Sequence, residues 1–252
     1  MTTTTMTAAL DPLAGEPAPR ALDAVDLLLR DTAGMLARIR AGEDLAALAR
    51  PLIVTIALGG AVFGAALGAY RGGLQVLYAA IKLPLAILLT AAICAPTLTA
   101  LNAALGRTAC IRRDLALVLA VLARGALVLA AEAPVVLLAI SLHAAYHQVI
   151  LLTVASGAAG GLVSLWLLAR GLGADRRSRL AVCAALLAVF TLVGAQMSWT
   201  LRPYLVRPRT PAAPFVRAAE SNFLEAVLVS SASARGRYAR DAAPVPGGRS
   251  AP

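Results

Sequence analysis

The chain carries 252 residues, 60% of them hydrophobic and 14% charged, with a mean hydropathy of +0.78, whereas soluble domains run near ~45–50% and ~25%. No segment alternates apolar and polar residues with the period of two that marks strands, and the apolar excess falls in runs of about 20 residues, enough helix to cross a ~30 Å hydrocarbon core. The net charge of +10 comes from arginines that flank those runs, not from a basic stripe interleaved with aromatics, which excludes a soluble domain and a nucleic-acid binder alike.

The pattern predicts an all-α, polytopic integral membrane protein: a bundle of about five transmembrane helices with an N-terminal amphipathic helix. Residues 1–19 are rich in Thr, Ala and Pro and are expected to be disordered; they lack the basic and apolar regions of a cleavable signal peptide. Residues 20–50 read as cytoplasmic amphipathic helices. In RALDAVDLLLRDTAGMLARIR, residues 20–40, Leu22, Val25, Leu28, Leu29, Leu36 and Ile39 fall near one face, and Asp23, Asp26, Arg30, Asp31 and Arg38 mostly on the other. The spacing predicts an interruption around Gly34 and a helix that lies on the membrane surface or docks on the bundle. A shorter helix, GEDLAALAR, leads to Pro51.

Residues 51–201 are expected to form the transmembrane domain, with spans at about 51–70, 73–100, 114–142, 144–169 and 179–201. The apolar stretch 125–169 is too long for one crossing and is split at SLHAAYH, its polar interruption; four spans is the alternative count. Arg107, Arg112 and Arg113 follow the second span, and Arg176, Arg177 and Arg179 follow the fourth, whereas the opposite loops carry only Arg71. The positive-inside rule then places the chain in the inner (cytoplasmic) membrane with its N-terminus cytoplasmic and its C-terminus outside. Tyr70, Tyr146, Trp199 and Tyr204 fall at the outer interface, where amphipathic rings sit. Residues 202–229 are expected to be an ordered interfacial tail holding Tyr204, Phe215 and Phe223, and residues 230–252 a disordered one.

Within the spans, LYAAIKLPLAILL places Lys82, the chain's single lysine, about nine residues from the outer end of span two. A lone cation in a span costs ~2.5–3.5 kcal/mol at helix centre even on the lenient insertion scale. Glu132 is the acidic residue at matching depth in span three, and each member has a proline two residues on, Pro84 and Pro134. An intramembrane ion pair between Lys82 and Glu132 is therefore expected, either fixing register or serving an ion pathway. Gly60-x3-Gly64-x3-Gly68 in span one and Gly157-x3-Gly161 in span four have the small-residue spacing that lets helix backbones approach. Arg124 has no spare acidic partner and is expected to snorkel or bind helix-end carbonyls.

Catalytic and metal chemistry find little purchase. Ser156 in VASGA has no histidine base on another span, and His143-x3-His147 has no Asp, Glu or Cys beside it. Cys94, Cys110 and Cys183 show no CxxC spacing. No catalytic residue, metal or cofactor is implied.

Over residues 72–106, GGLQVLYAAIKLPLAILLTAAICAPTLTALNAALG resembles the second-span region of Yip1-like membrane proteins, through Gly72-Gly73, Lys82-x-Pro84 and Pro96 before a polar exit. The resemblance implies a five-span helical protein with a cytoplasmic N-terminus; eukaryotic members act in vesicle trafficking by binding partners. The expected function is a non-enzymatic scaffold, anchor or subunit of a larger membrane assembly. The alternative is a small transporter or channel component using Lys82 and Glu132. Its expected partners are the lipid bilayer and other membrane subunits, a peripheral protein or a second copy. Leu28 and Leu36 on the inner side, and Tyr204, Phe215 and Phe223 on the outer, are the candidate interaction surface.

Overall fold

A computed structural model describes residues 21–172 and 176–200, and every regular element in them is helical. The elements are α1 (Ala21–Arg30), α2 (Thr32–Ala41), α3 (Leu45–Gly68), α4 (Leu74–Ala104), α5 (Ile111–Ser141), α6 (Tyr146–Gly171) and α7 (Arg176–Thr200). Tyr204, Phe215, Phe223 and the expected tails lie outside the described residues.

Among the described residues, four helices, α3 to α6, contain stretches long and apolar enough to cross a membrane, and the apolar stretch described in α7, Arg179–Gly194, is shorter. At ~1.5 Å per residue the 31-residue α4 and α5 reach about 46 Å, so both overrun a ~30 Å hydrocarbon core. Prolines do not end them: Pro84 and Pro96 lie inside α4 and Pro134 inside α5.

The α4 helix shows why the bundle suits lipid rather than water. Over residues 75–90 its buried side is Gln75, Ala79, Lys82, Pro84, Ala86 and Thr90, small or polar. Its exposed stripe is Leu77, Ile81, Leu85, Leu89 and Ile93, every one large and apolar, at strict four-residue spacing over about 24 Å. A water-soluble surface rarely carries so long an apolar stripe.

The four long helices run antiparallel to their chain neighbours, with α3 in contact with both α4 and α5, while α7 lies against α4 and α6. The main core sits toward the end that holds the α4–α5 turn, where Leu52, Ile56, Cys94, Leu98, Val118, Leu167 and Leu186 pack together. A smaller cluster of Phe63, Ala66, Leu67, Ala133 and Val136 fills the other half. At that far end the Tyr70 and Tyr146 rings meet at 6.0 Å, which brings the α3–α4 and α5–α6 turns to one side of the bundle.

The N-terminal segment docks on the bundle, one of its two expected placements, and differs from its sequence reading in three particulars. Its break falls at Asp31, not Gly34: the Asp31 carboxylate accepts from the Gly34 N–H at 2.9 Å and caps α2. A Cβ on Gly34 would strike that carboxylate, so the glycine makes room for the cap instead of interrupting the helix. GEDLAALAR is no separate helix, because α2 ends at Gly42 in the left-handed region (φ 79°) and α3 starts at Leu45 and runs on through Pro51. Most consequentially, Leu28 and Leu36 are not an open surface. They are 0% and 4% exposed, buried with Met35 and Ile39 in the main core, because the α1–α2 hairpin docks on α3, α5 and α6. Leu29 turns outward at 55% exposure.

Candidate functional site

Arginine side chains close the bundle at this end. Arg124, half-buried on α5, donates to the Leu28 carbonyl in the last turn of α1 and to Thr32 Oγ1 at 2.7 Å. It therefore binds helix-end carbonyls, one of its two expected fates, and it ties the hairpin to the bundle. Arg40 of α2 donates to the Arg170 and Gly171 carbonyls, and Arg107 of the α4–α5 turn to the Leu172 carbonyl, so the last turn of α6 is capped from two sides. Helix C-termini leave such carbonyls unpaired and carry partial negative charge, which a guanidinium offsets. Trp166 stacks beneath Arg170 at 3.9 Å and lies 5.7 Å from Arg124.

Beside these caps lies a polar cleft of about 270 Å³. It forms because the α4–α5 turn is tight. Gly106 takes φ 67°, the Arg107 N–H returns to the Asn102 carbonyl at 2.8 Å, and Asn102 and Asp114 are brought face to face. Asn102 Nδ2 donates to Asp114 Oδ1 at 3.1 Å. Both residues are buried, at 5% and 3% exposure, yet Asn102 Oδ1 and Asp114 Oδ2 have no hydrogen-bond partner. Arg40, Arg107 and Arg113 line the same cleft over an apolar floor that includes Ile39, Leu117 and Leu172. Sequence reasoning passed over Asn102 and Asp114: one reads as a polar helix exit, the other as a first-turn acid favoured by the helix dipole. Their positions on either side of a glycine-containing turn were the available signal.

Across comparisons with known proteins, the chain matches no family model, no curated protein and no solved structure.

The remaining predicted residues fall on the spans. Lys82 is fully buried, among the largest side chains with no exposed surface, and Glu132 is half-buried. Close approaches fix their depths. A Cβ on Gly59 would lie 2.7 Å from the Ala126 carbonyl oxygen, and one on Gly60 would lie 3.1 Å from Pro84. Counting outward from those contacts puts Lys82 level with about residue 62 of α3 and Glu132 with about residue 65, roughly 5 Å apart along the bundle. Leu83 packs on the cluster that holds Ala133 and Val136, so the chain neighbours of the two charges touch one cluster.

Gly60, Gly64 and Gly68 each face α4 backbone: Pro84, then Ala79 and Ala80, then Gln75 and Val76. A Cβ would strike backbone at Gly64 and Gly68 and would be tight at Gly60. Gly59 makes a comparable approach on another face of α3, to the Ala126 backbone of α5, and was not singled out by spacing. Gly157 and Gly161 behave differently, since a Cβ at either would meet nothing within 4 Å. They line an apolar cavity of about 190 Å³ between α5, α6 and α7, with Gly125, Gly160, Ser164, Leu187 and Phe190. Ser156 Oγ is buried without a hydrogen-bond partner, and no cluster of His, Cys, Asp or Glu among the described residues has the makings of a metal site. Cys94, Cys110 and Cys183 are free thiols.

Proposed function

We propose that this chain is a non-enzymatic, five-span integral membrane protein that acts as scaffold, anchor or subunit of a larger membrane assembly. In this reading α7 is the fifth span, the N-terminus is cytoplasmic and the C-terminus outside. The observation that carries the proposal lies on α6: Gly157 and Gly161 are exposed, have the spacing that admits a neighbouring helix backbone, and among the described residues no atom lies within 4 Å of where a Cβ would stand at either. The large apolar residues Val154 and Leu162 stand exposed on the same helix. With Leu28 and Leu36 buried, the α6 face replaces the N-terminal hairpin as the candidate surface for another membrane subunit. The Yip1-like resemblance, whose eukaryotic members act by binding partners, points the same way.

Lys82 and Glu132 pair, in this proposal, as a structural tie between α4 and α5, supported by their burial and nearly equal depth. Transport through the same pair is the alternative.

The test is the size of the protein in mild detergent. The 25.8 kDa chain is expected to migrate as part of a larger species, and Gly157→Leu with Gly161→Leu is expected to reduce it to a single chain of unchanged helicity. A wild type that stays a single chain in mild detergent, and after cross-linking in native membranes, removes the proposal.

A further inference from the structure

The polar cleft at the α4–α5 turn holds a contradiction that a ligand resolves. Asp114 and Asn102 line the cleft, are more than nine-tenths buried, and each keeps an acceptor oxygen without a hydrogen-bond partner. Leaving such an atom unpaired costs ~1–3 kcal/mol, and more for a charged group. The missing partner must therefore donate hydrogen bonds. Yet the same cleft is lined by Arg107 and by the guanidiniums of Arg40 and Arg113, each of these two with five N–H donors against one or two backbone carbonyls, those of Arg170 and Gly171 for Arg40 and that of Thr108 for Arg113. Among the described residues, three cations and one carboxylate line the cleft, a balance that repels a simple cation. An anion alone suits the arginines but leaves the two buried acceptors unmet.

A molecule with a primary ammonium at one end and a phosphate at the other meets both demands. The ammonium carries donors for Asp114 Oδ2 and Asn102 Oδ1, and phosphate oxygens match the guanidinium fork. Size limits the choice. The cleft, at about 270 Å³, falls below the ~300–1,000 Å³ of sites for drug-sized ligands, so it takes a headgroup and not a nucleotide. Position favours a lipid. Asn102 lies nine residues, about 14 Å, beyond Ile93, the last residue of the exposed apolar stripe on α4, which is past the edge of the hydrocarbon core on its polar side.

We propose that this cleft binds the headgroup of an aminophospholipid of the phosphatidylethanolamine class, with its ammonium on Asp114 and Asn102 and its phosphate on Arg113 and Arg40. The inference rests on the membrane-spanning reading of the bundle. It goes beyond that reading by giving the protein a preference among lipids.

The experiment uses the full chain, purified in detergent and titrated separately with phosphatidylethanolamine, phosphatidylcholine, phosphatidylglycerol and free phosphoethanolamine. Thermal unfolding and lipid retention by native mass spectrometry are the readouts. Phosphatidylcholine carries the same phosphate but a trimethylated nitrogen without N–H donors, and phosphatidylglycerol carries no ammonium. The expected result is at least tenfold stronger retention of phosphatidylethanolamine than of either, with a higher melting temperature. Asp114→Asn should erase the preference over phosphatidylcholine, and Arg113→Gln should weaken retention of phosphatidylethanolamine and phosphatidylglycerol alike. Equal retention of the ethanolamine and choline lipids by the wild type overturns the proposal and leaves only a water on Asp114; that comparison decides even where Asp114→Asn fails to fold. A preference that survives Asp114→Asn also overturns it, and so does free phosphoethanolamine that matches the lipid, which would make the ligand a soluble zwitterion. Resistance of the membrane-bound protein to alkaline extraction checks the spanning reading separately, so loss of the headgroup site and loss of the membrane assignment are distinguishable outcomes.

Discussion

Detaching the α1–α2 hairpin offers a direct measure of what holds the N-terminal segment. Leu28 has no exposed surface, and its carbonyl accepts from Arg124, so one residue contributes both packing and a charge-assisted hydrogen bond. Truncating a fully buried leucine to alanine costs ~2–5 kcal/mol, depending on how far the site collapses. Replacing Arg124 by Gln removes the bonds to the Leu28 carbonyl and to Thr32 Oγ1, and hydrogen bonds to charged groups contribute ~1.5–3 kcal/mol each at most. The two changes share one interface, so their effects will not add.

Met35, 1% exposed in the same core, is the place for a reporter. With Cys94, Cys110 and Cys183 replaced, Met35→Cys reacts with a thiol reagent only when the hairpin lifts. A loss of about 3 kcal/mol in docking raises the lifted population, and hence the labelling rate, roughly a hundredfold. Leu28→Ala is expected to reach that value, and Arg124→Gln to fall within tenfold of it. Fast labelling of Met35→Cys in the otherwise unchanged chain, or a rate that neither substitution alters, would refute the docked hairpin and return Leu28 and Leu36 to the role of an external binding surface.

Three further outcomes are expected. Gly64→Ala places a methyl against the Ala79 backbone and should lower the melting temperature in detergent by the equivalent of ~1–3 kcal/mol or more, while Gly157→Ala, facing open space, should leave it unchanged; equal effects would contradict the packing described. In intact cells the exposed thiol of Cys110 should be shielded from an impermeant reagent while cysteines placed at His143 and Ala213 are labelled; protection at Ala213 would remove the fifth span, and labelling of Cys110 would reverse the orientation. For Lys82→Met and Glu132→Gln, each single change should destabilise by up to ~3–5 kcal/mol and the double change should recover most of the loss; strictly additive losses would dismiss the pair, and restored stability with lost cellular function would favour transport.

Helices were legible here where composition alone decides them. The split of residues 125–169 at SLHAAYH coincides with the turn between Ser141 and Tyr146, because a polar, histidine-containing stretch is costly at depth and cheap at an interface. Gly60, Gly64 and Gly68 were legible because close backbone contact demands the smallest residue. The hairpin was not. Amphipathic periodicity states that Leu28 and Leu36 need cover but not what covers them, and lipid, partner and bundle all satisfy the pattern equally. Asn102 and Asp114 were hidden for a related reason: each is unremarkable on its own helix, and only the tertiary turn buries them together.

The chain's preference for arginine, with Lys82 its single lysine, joins topology to packing at one end of the bundle. Positive-inside topology counts lysine and arginine alike. Capping does not, since a guanidinium offers a planar fork of weakly hydrated donors and an ammonium is a compact, strongly hydrated charge. Arg40 reaches two successive carbonyls, Arg170 and Gly171, and Arg107 reaches Leu172, so α6 ends against two such forks. Substituting both by lysine separates the roles because it keeps every charge and changes only the hydrogen-bonding shape. Orientation, read by the accessibility of Cys110, should be unchanged. Stability should fall by on the order of 1–2 kcal/mol as the α6 carbonyls lose their partners, read as a lower melting temperature in detergent. Full stability in the double lysine variant would mean that charge near the helix end suffices, and that the arginines are held there by topology alone.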